Sequence, residues 1–74
     1  MKSKRKFTVV IERDEDGIFI ATCPVLAGCY TQGDTRDEAL ENIKDAIRLH
    51  LEARLDHGEF IPREVEVDQV EVRV

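Results

Sequence analysis

Two cysteines and two histidines are the residues of this 74-residue chain best suited to metal binding or nucleophilic chemistry. Cys23 and Cys29 stand six apart and His50 and His57 seven apart, and neither spacing matches the usual structural zinc patterns. The plainer reading makes each cysteine a small buried apolar residue. It sets one histidine beside an apolar stripe and the other near a helix end. Asp14, Glu15 and Asp16 form a carboxylate cluster, but the calcium-loop spacing and its bidentate Glu are missing, so a solvated turn is expected. There is no glycine-rich phosphate loop, nucleophile elbow or Cys–His pairing signal. No catalytic residue, metal site or cofactor is therefore assigned, and the chain reads as a non-enzyme.

The elements that carry these residues follow from periodicity. Phe7–Glu12 is β-branched and aromatic, which favours a strand. Phe7, Val9 and Ile11 then share one face, and Thr8, Val10 and Glu12 the other. Asp16-Gly17 closes a turn, and Ile18–Cys23 returns as a second strand, with Ile18 and Ile20 on one face and Phe19, Ala21 and Cys23 on the other. Pro24 interrupts ladder bonding because it has no N–H to donate. Cys29–Gln32 is a short third strand, followed by a turn at Gly33-Asp34-Thr35.

Thr35 to Glu38 fits a capping box. Ala39, Leu40, Ile43, Ala46, Ile47, Leu51 and Leu55 recur at intervals of three and four, which defines an amphipathic helix from Arg36 to about Asp56 with Gly58 as its C-terminal cap. Such a helix is ~30 Å long. Average strands reach ~20 Å, so the helix should overhang the sheet. The tail alternates Val65 and Val67 in one phase and Val70, Val72 and Val74 in the other. A break at Asp68-Gln69 is expected, with Val70–Val74 as a final strand. The fold class is α+β, in the order β-β-β-α-β.

One helix covers one sheet face, whereas the first two strands are apolar on both. Val10, Phe19 and Ala21 cannot all be covered by the helix that covers Phe7, Val9, Ile18 and Ile20. A second chain is expected on the other face, with Val10 and Phe19 as interface residues. Val70 and Val72 would add a further pairing edge.

Charge narrows the partners. Eleven Lys and Arg against 16 Asp and Glu give a net charge of −5. Residues 1–6 hold four of the positive charges, so residues 7–74, read as the single domain, carry seven against 16, a net −9. An acidic body favours a basic partner and disfavours generic nucleic-acid binding. The basic arm at residues 1–6 could touch phosphates, though a solubilising terminus is the simpler reading. The candidate contacts are Asp37, Glu38, Glu41 and Asp45 on the helix and Asp14, Glu15 and Asp16 in the hairpin. No apolar run approaches the ~20 residues that span a bilayer, and the N-terminus lacks an export core. The expected location is the cytoplasm.

The run Pro24-Val25-Leu26-Ala27-Gly28-Cys29-Tyr30-Thr31-Gln32-Gly33-Asp34-Thr35-Arg36-Asp37-Glu38-Ala39 resembles the HicB family of antitoxins, whose N-terminal domain carries a similar P-x-L-P-G-C-x-T-x-G-D-T-x-x-E-A pattern. Pro24, Leu26, Gly28, Cys29, Thr31, Gly33, Asp34, Thr35, Glu38 and Ala39 match. Ala27 stands where the family usually has Pro, and Val25 where it is often acidic. The resemblance implies a partial ribonuclease-H-like fold with strand order 3-2-1-4, the last strand parallel to the first. It also implies a role: binding and neutralising a HicA-like toxin, a small basic ribonuclease that cuts messenger RNA. Many family members add a DNA-binding domain, and none is expected within these 74 residues. Operator binding is therefore not expected of this chain alone. The rival readings are an orphan oligomeric module and a metal-dependent nuclease using Glu12 and Asp16.

Overall fold

The computed structural model describes residues 5–74. Three short strands, β1 (Val10–Arg13), β2 (Phe19–Thr22) and β3 (Tyr30–Gly33), form one antiparallel sheet in the order β1-β2-β3, and the helix α1 (Arg36–Asp56) follows. This is the expected α+β arrangement of three strands and a helix.

The helix begins and ends where its sequence signals stand. Thr35 has extended backbone, and its hydroxyl accepts the Glu38 N–H at 3.1 Å. Asp37 and Glu38 lie in the first turn, where the helix dipole favours negative charge. At the other end Gly58 adopts φ +70°, and paired bonds close the helix: Gly58 N–H to Leu55 C=O at 3.1 Å and Glu59 N–H to Arg54 C=O at 2.8 Å. This is a Schellman motif, with glycine at the left-handed position.

The core is small. Ala21, Cys23, Leu26, Cys29, Ala39 and Ile43 are buried, and Phe7, Val9, Ile11, Phe19, Val25, Leu40, Ala46, Ile47 and Leu51 pack around them. Both cysteines are free thiols. Leu26, one of the largest fully buried side chains, comes from the loop between β2 and β3. The loop holds it there with two turns: Leu26 N–H donates to Cys23 C=O and Cys29 N–H to Leu26 C=O, both at 3.1 Å.

Register corrects the expected division of faces. Ile11 stands opposite Ala21 and Val10 opposite Thr22. Residues directly opposite share a face, so Phe19 and Ala21 lie with Ile11 on the helix side and Val10 lies alone of that trio on the open side. The five residues between β1 and β2 set this pairing, and sequence alternation does not reveal it. Phe19 packs against the core, with the Arg13 guanidinium 5.5 Å from its ring centroid. It does not share a face with Val10 as expected. The open face carries Val10, Ile20, Thr22, Tyr30 and Gln32, with Val10 44% and Tyr30 67% exposed.

The expected fourth strand does not form. Residues 59–74 hold no regular element, and Val65, Val67, Val70, Val72 and Val74 are exposed. The parallel 3-2-1-4 order is therefore absent, and β1 and β3 are both edges. An alternating segment becomes a strand only when a neighbour takes its backbone bonds and its apolar side, and this tail meets none within its own chain. At the predicted phase break, the Asp68 carboxylate accepts the Gln69 N–H at 2.7 Å, a local bond that competes with ladder pairing.

Candidate functional site: an acidic end and an apolar groove

The register builds the candidate partner surface. Arg13, Phe19 and Gly33 form one row across the sheet. Beyond Arg13 the chain enters the Asp14–Ile18 turn, and just beyond Gly33 it starts the helix. The hairpin carboxylates and the first helical carboxylates therefore lie at the same end of the sheet, two strand spacings apart, roughly 10 Å.

Within the turn, Asp14 has a structural task. Its Oδ1 accepts the Asp16 and Ile18 amides, both at 2.9 Å, and its carbonyl accepts the Gly17 N–H. Glu15 and Asp16 are left projecting and exposed. On the helix, Asp37, Glu41 and Asp45 recur at intervals of four and form one exposed stripe, with Glu38 beside it. Three carboxylates have surface cation partners: Asp37 with Arg36 at 3.7 Å, Glu41 with Lys44 at 3.8 Å and Asp45 with Arg48 at 3.7 Å. Pairs this exposed are worth ~0–1 kcal/mol, so an incoming cation displaces them readily.

The helix is held to the sheet by a close approach at Gly33 and by two side-chain bonds. The Thr31 hydroxyl donates to the Ala39 carbonyl at 3.1 Å, and the Asn42 amide donates to the Gln32 carbonyl at 3.0 Å. These contacts involve β3. The helix packs over β3 and β2 and leaves β1 largely uncovered.

On the β1 side the helix and the segment leading into β1 enclose an apolar groove of about 670 Å³, walled by Phe7 and Val9 on one side and Ile43, Ile47, Leu51 and Leu55 on the other. Arg5, Lys44 and Arg48 stand on it as basic groups, with Glu52 as the one acid among the described residues. Ile61 closes part of it. Past Ile61 the chain reaches Glu64, whose carboxylate accepts both the Thr8 amide (2.5 Å) and the Thr8 hydroxyl (2.6 Å). These two bonds hold the Glu64 carboxyl below the usual carboxylate range. Neither the groove nor this clamp had a sequence signal, because both arise between segments more than thirty residues apart.

The chemistry-bearing residues of the sequence are dispersed. Burial raises the pKa of both thiols, and Cys29 adds to the rise at Cys23. His50 accepts from Arg54 Nε at 2.9 Å, and His57 caps the helix. Among the described residues, no group of three or more His, Cys, Asp or Glu converges on a metal-sized site. Glu12 and Asp16, the residues of the nuclease reading, lie on the open sheet face and at the turn tip respectively. No helix among the described residues is long and apolar enough to cross a membrane.

A three-stranded meander backed by one capped helix is thus the frame that carries the acidic end and the groove. Comparison with known proteins gives the class: residues 7–73 match the HicB-like antitoxin of bacterial toxin–antitoxin systems. The chain belongs to this family of antitoxins. It is 52% identical over 59 residues to a UPF0150 protein of Thermoplasma acidophilum, covering 80% of this chain and 86% of that one. A UPF0150 protein of Archaeoglobus fulgidus is 48% identical over 58 residues, covering 76% and 84%. One from a Synechocystis strain is 54% identical over 50 residues, covering 68% and 72%.

Proposed function

We propose that this chain neutralises a HicA-like, mRNA-cleaving toxin in the cytoplasm by binding it directly. Family membership supports an antitoxin role in general. The observation that carries the specific reading is the shared end of the sheet, where Glu15, Asp16, Asp37 and Glu38 present carboxylates to solvent around the turn anchored by Asp14, with Glu41 and Asp45 continuing the stripe along the helix. A basic nuclease recognises RNA through cations. An acidic surface competes for those cations, and its field accelerates the encounter. The antitoxin contributes no chemical step and acts by occlusion.

The same reading includes self-association. The open sheet face, with Val10, Ile20 and Tyr30, offers apolar area that a second copy would cover, and Val70 and Val72 lie exposed on the tail. Burying a large apolar side chain contributes ~1.5–3 kcal/mol.

The test is a search for a small basic protein encoded beside this chain's gene, followed by co-expression of the two. Survival of the cells, joint purification of the two proteins, and loss of both effects on reversing Asp37, Glu41 and Asp45 to Lys are the expected results. Continued toxicity with no joint purification would leave an orphan oligomeric module.

A further inference from the structure

We propose that the groove between the helix and the segment leading into β1 is filled by the valine-alternating tail, Val65–Val74, of a second copy of this chain, each copy lending its tail to the other. The proposal deepens the self-association reading by naming the segment exchanged and the groove that receives it.

Three observations carry it. The first is size. The chain exposes 6616 Å², whereas a compact 8.5 kDa monomer exposes about 4700 Å². Its radius of gyration is 14.0 Å, against about 11 Å for a compact chain of this length. The five valines of the tail are all exposed.

The second is geometry. From the segment after the helix, the groove receives Ile61. Glu64 is then clamped to Thr8 and does not line the groove. The tail departs from this fixed point with Val65 96% exposed. Beyond the break at Asp68-Gln69, the five residues Val70–Val74 would span ~17 Å when extended, enough to lie along a neighbour's four-residue β1. The receiving side offers what a strand needs: an unpaired sheet edge at β1 and an apolar wall of Ile43, Ile47, Leu51 and Leu55.

The third is charge. Among the described residues the groove presents three cations and one acid, Arg5, Lys44 and Arg48 against Glu52. The tail alternates its valines with Glu66, Asp68 and Glu71 against a single Arg73. The tail's acids are thus the complement of the groove's cations. Lys44 and Arg48 now meet Glu41 and Asp45 only in exposed pairs, so they are available to exchange partners. A two-fold arrangement makes both exchanges at once.

The experiment places Leu51→Cys and Val72→Cys together in the full-length chain and oxidises it. Light scattering on the unmodified chain and a non-reducing gel on the variant are the readouts. A two-copy mass and a bridge between copies are expected. A bridge within one chain would show the tail seated in its own groove and overturn the proposal, as would a monomeric mass or no bridge. A second arm reverses charge in the full chain. Lys44→Glu with Arg48→Glu should raise the dimer dissociation constant at least tenfold, and Glu66→Lys with Glu71→Lys in the same chain should restore it. Dimerisation indifferent to both changes would sink the idea. Neither arm reads toxin neutralisation, so the two proposals fail separately.

Discussion

A β-carbon placed on Gly33 would lie 2.7 Å from the backbone nitrogen of Ala39 and 3.1 Å from the carbonyl carbon of Glu38. The last residue of the third strand is thus in backbone contact with the first turns of the helix. Neither partner is a flexible side chain that could swing aside. The helix N-terminus, and with it Asp37 and Glu38, sits where it does because nothing projects from Gly33.

Gly33→Ala should therefore push the helix off the sheet and destabilise the fold by about 1–3 kcal/mol, the usual cost of overpacking. Gly28→Ala is the contrast: it has open space around it, and its φ of +75° adds only backbone strain of about 1–2 kcal/mol. Urea unfolding of both variants, with chemical shifts for Ala39 and Asn42, checks this. Displaced shifts should occur only in the Gly33 variant.

Thr35→Ala removes the acceptor for the Glu38 amide. A loss of about 0.5–2 kcal/mol is expected, with Thr35→Ser close to the unmodified protein. Thermal unfolding of the pair separates the hydroxyl from the methyl.

Leu26→Ala opens a cavity in a core that numbers six buried residues among those described. The expected loss is about 2–5 kcal/mol, a large share of what a domain of this size possesses. Far-ultraviolet circular dichroism in urea should show the midpoint falling while the slope is kept.

The Glu64–Thr8 clamp depends on pH in a defined direction. Its carboxyl titrates below the unfolded value. Its contribution is complete above that value, about 4.3 for a free Glu, and is lost as pH falls through the lower folded value. A carbon-13 titration of Glu64 should show the depressed midpoint. Thr8→Val, which keeps the amide and removes the hydroxyl, should move it up towards the ordinary range. An unchanged midpoint would mean that the hydroxyl does not hold the carboxylate.

Local chemistry made the helix legible. Thr35, the three-and-four spacing and Gly58 each act within a few residues, and together they place Arg36–Asp56 correctly. The carboxylate stripe Asp37–Glu41–Asp45 followed from the same periodicity. Pairing was not legible. Which face Phe19 occupies depends on the alignment of Ile11 with Ala21, and alternation alone does not decide that alignment. The tail failed for a related reason: its valines describe a strand, but a strand is a property of two segments, and the chain supplies one. The motif glycine and leucine gained their meaning only in three dimensions, Gly33 as a point of contact with the helix and Leu26 as a loop residue that fills the core.

The buried positions of the helix, Ala39 and Ile43, both belong to its first two turns, while Leu49 and Leu55 further along are exposed. Anchorage is therefore unequal along a single rod. Amides near Ile43 should resist deuterium far longer than those near Leu55. A protease that tests the molecule at low concentration will find its first cut beyond Arg48, and the fragment left behind will still carry the capped, acidic turns.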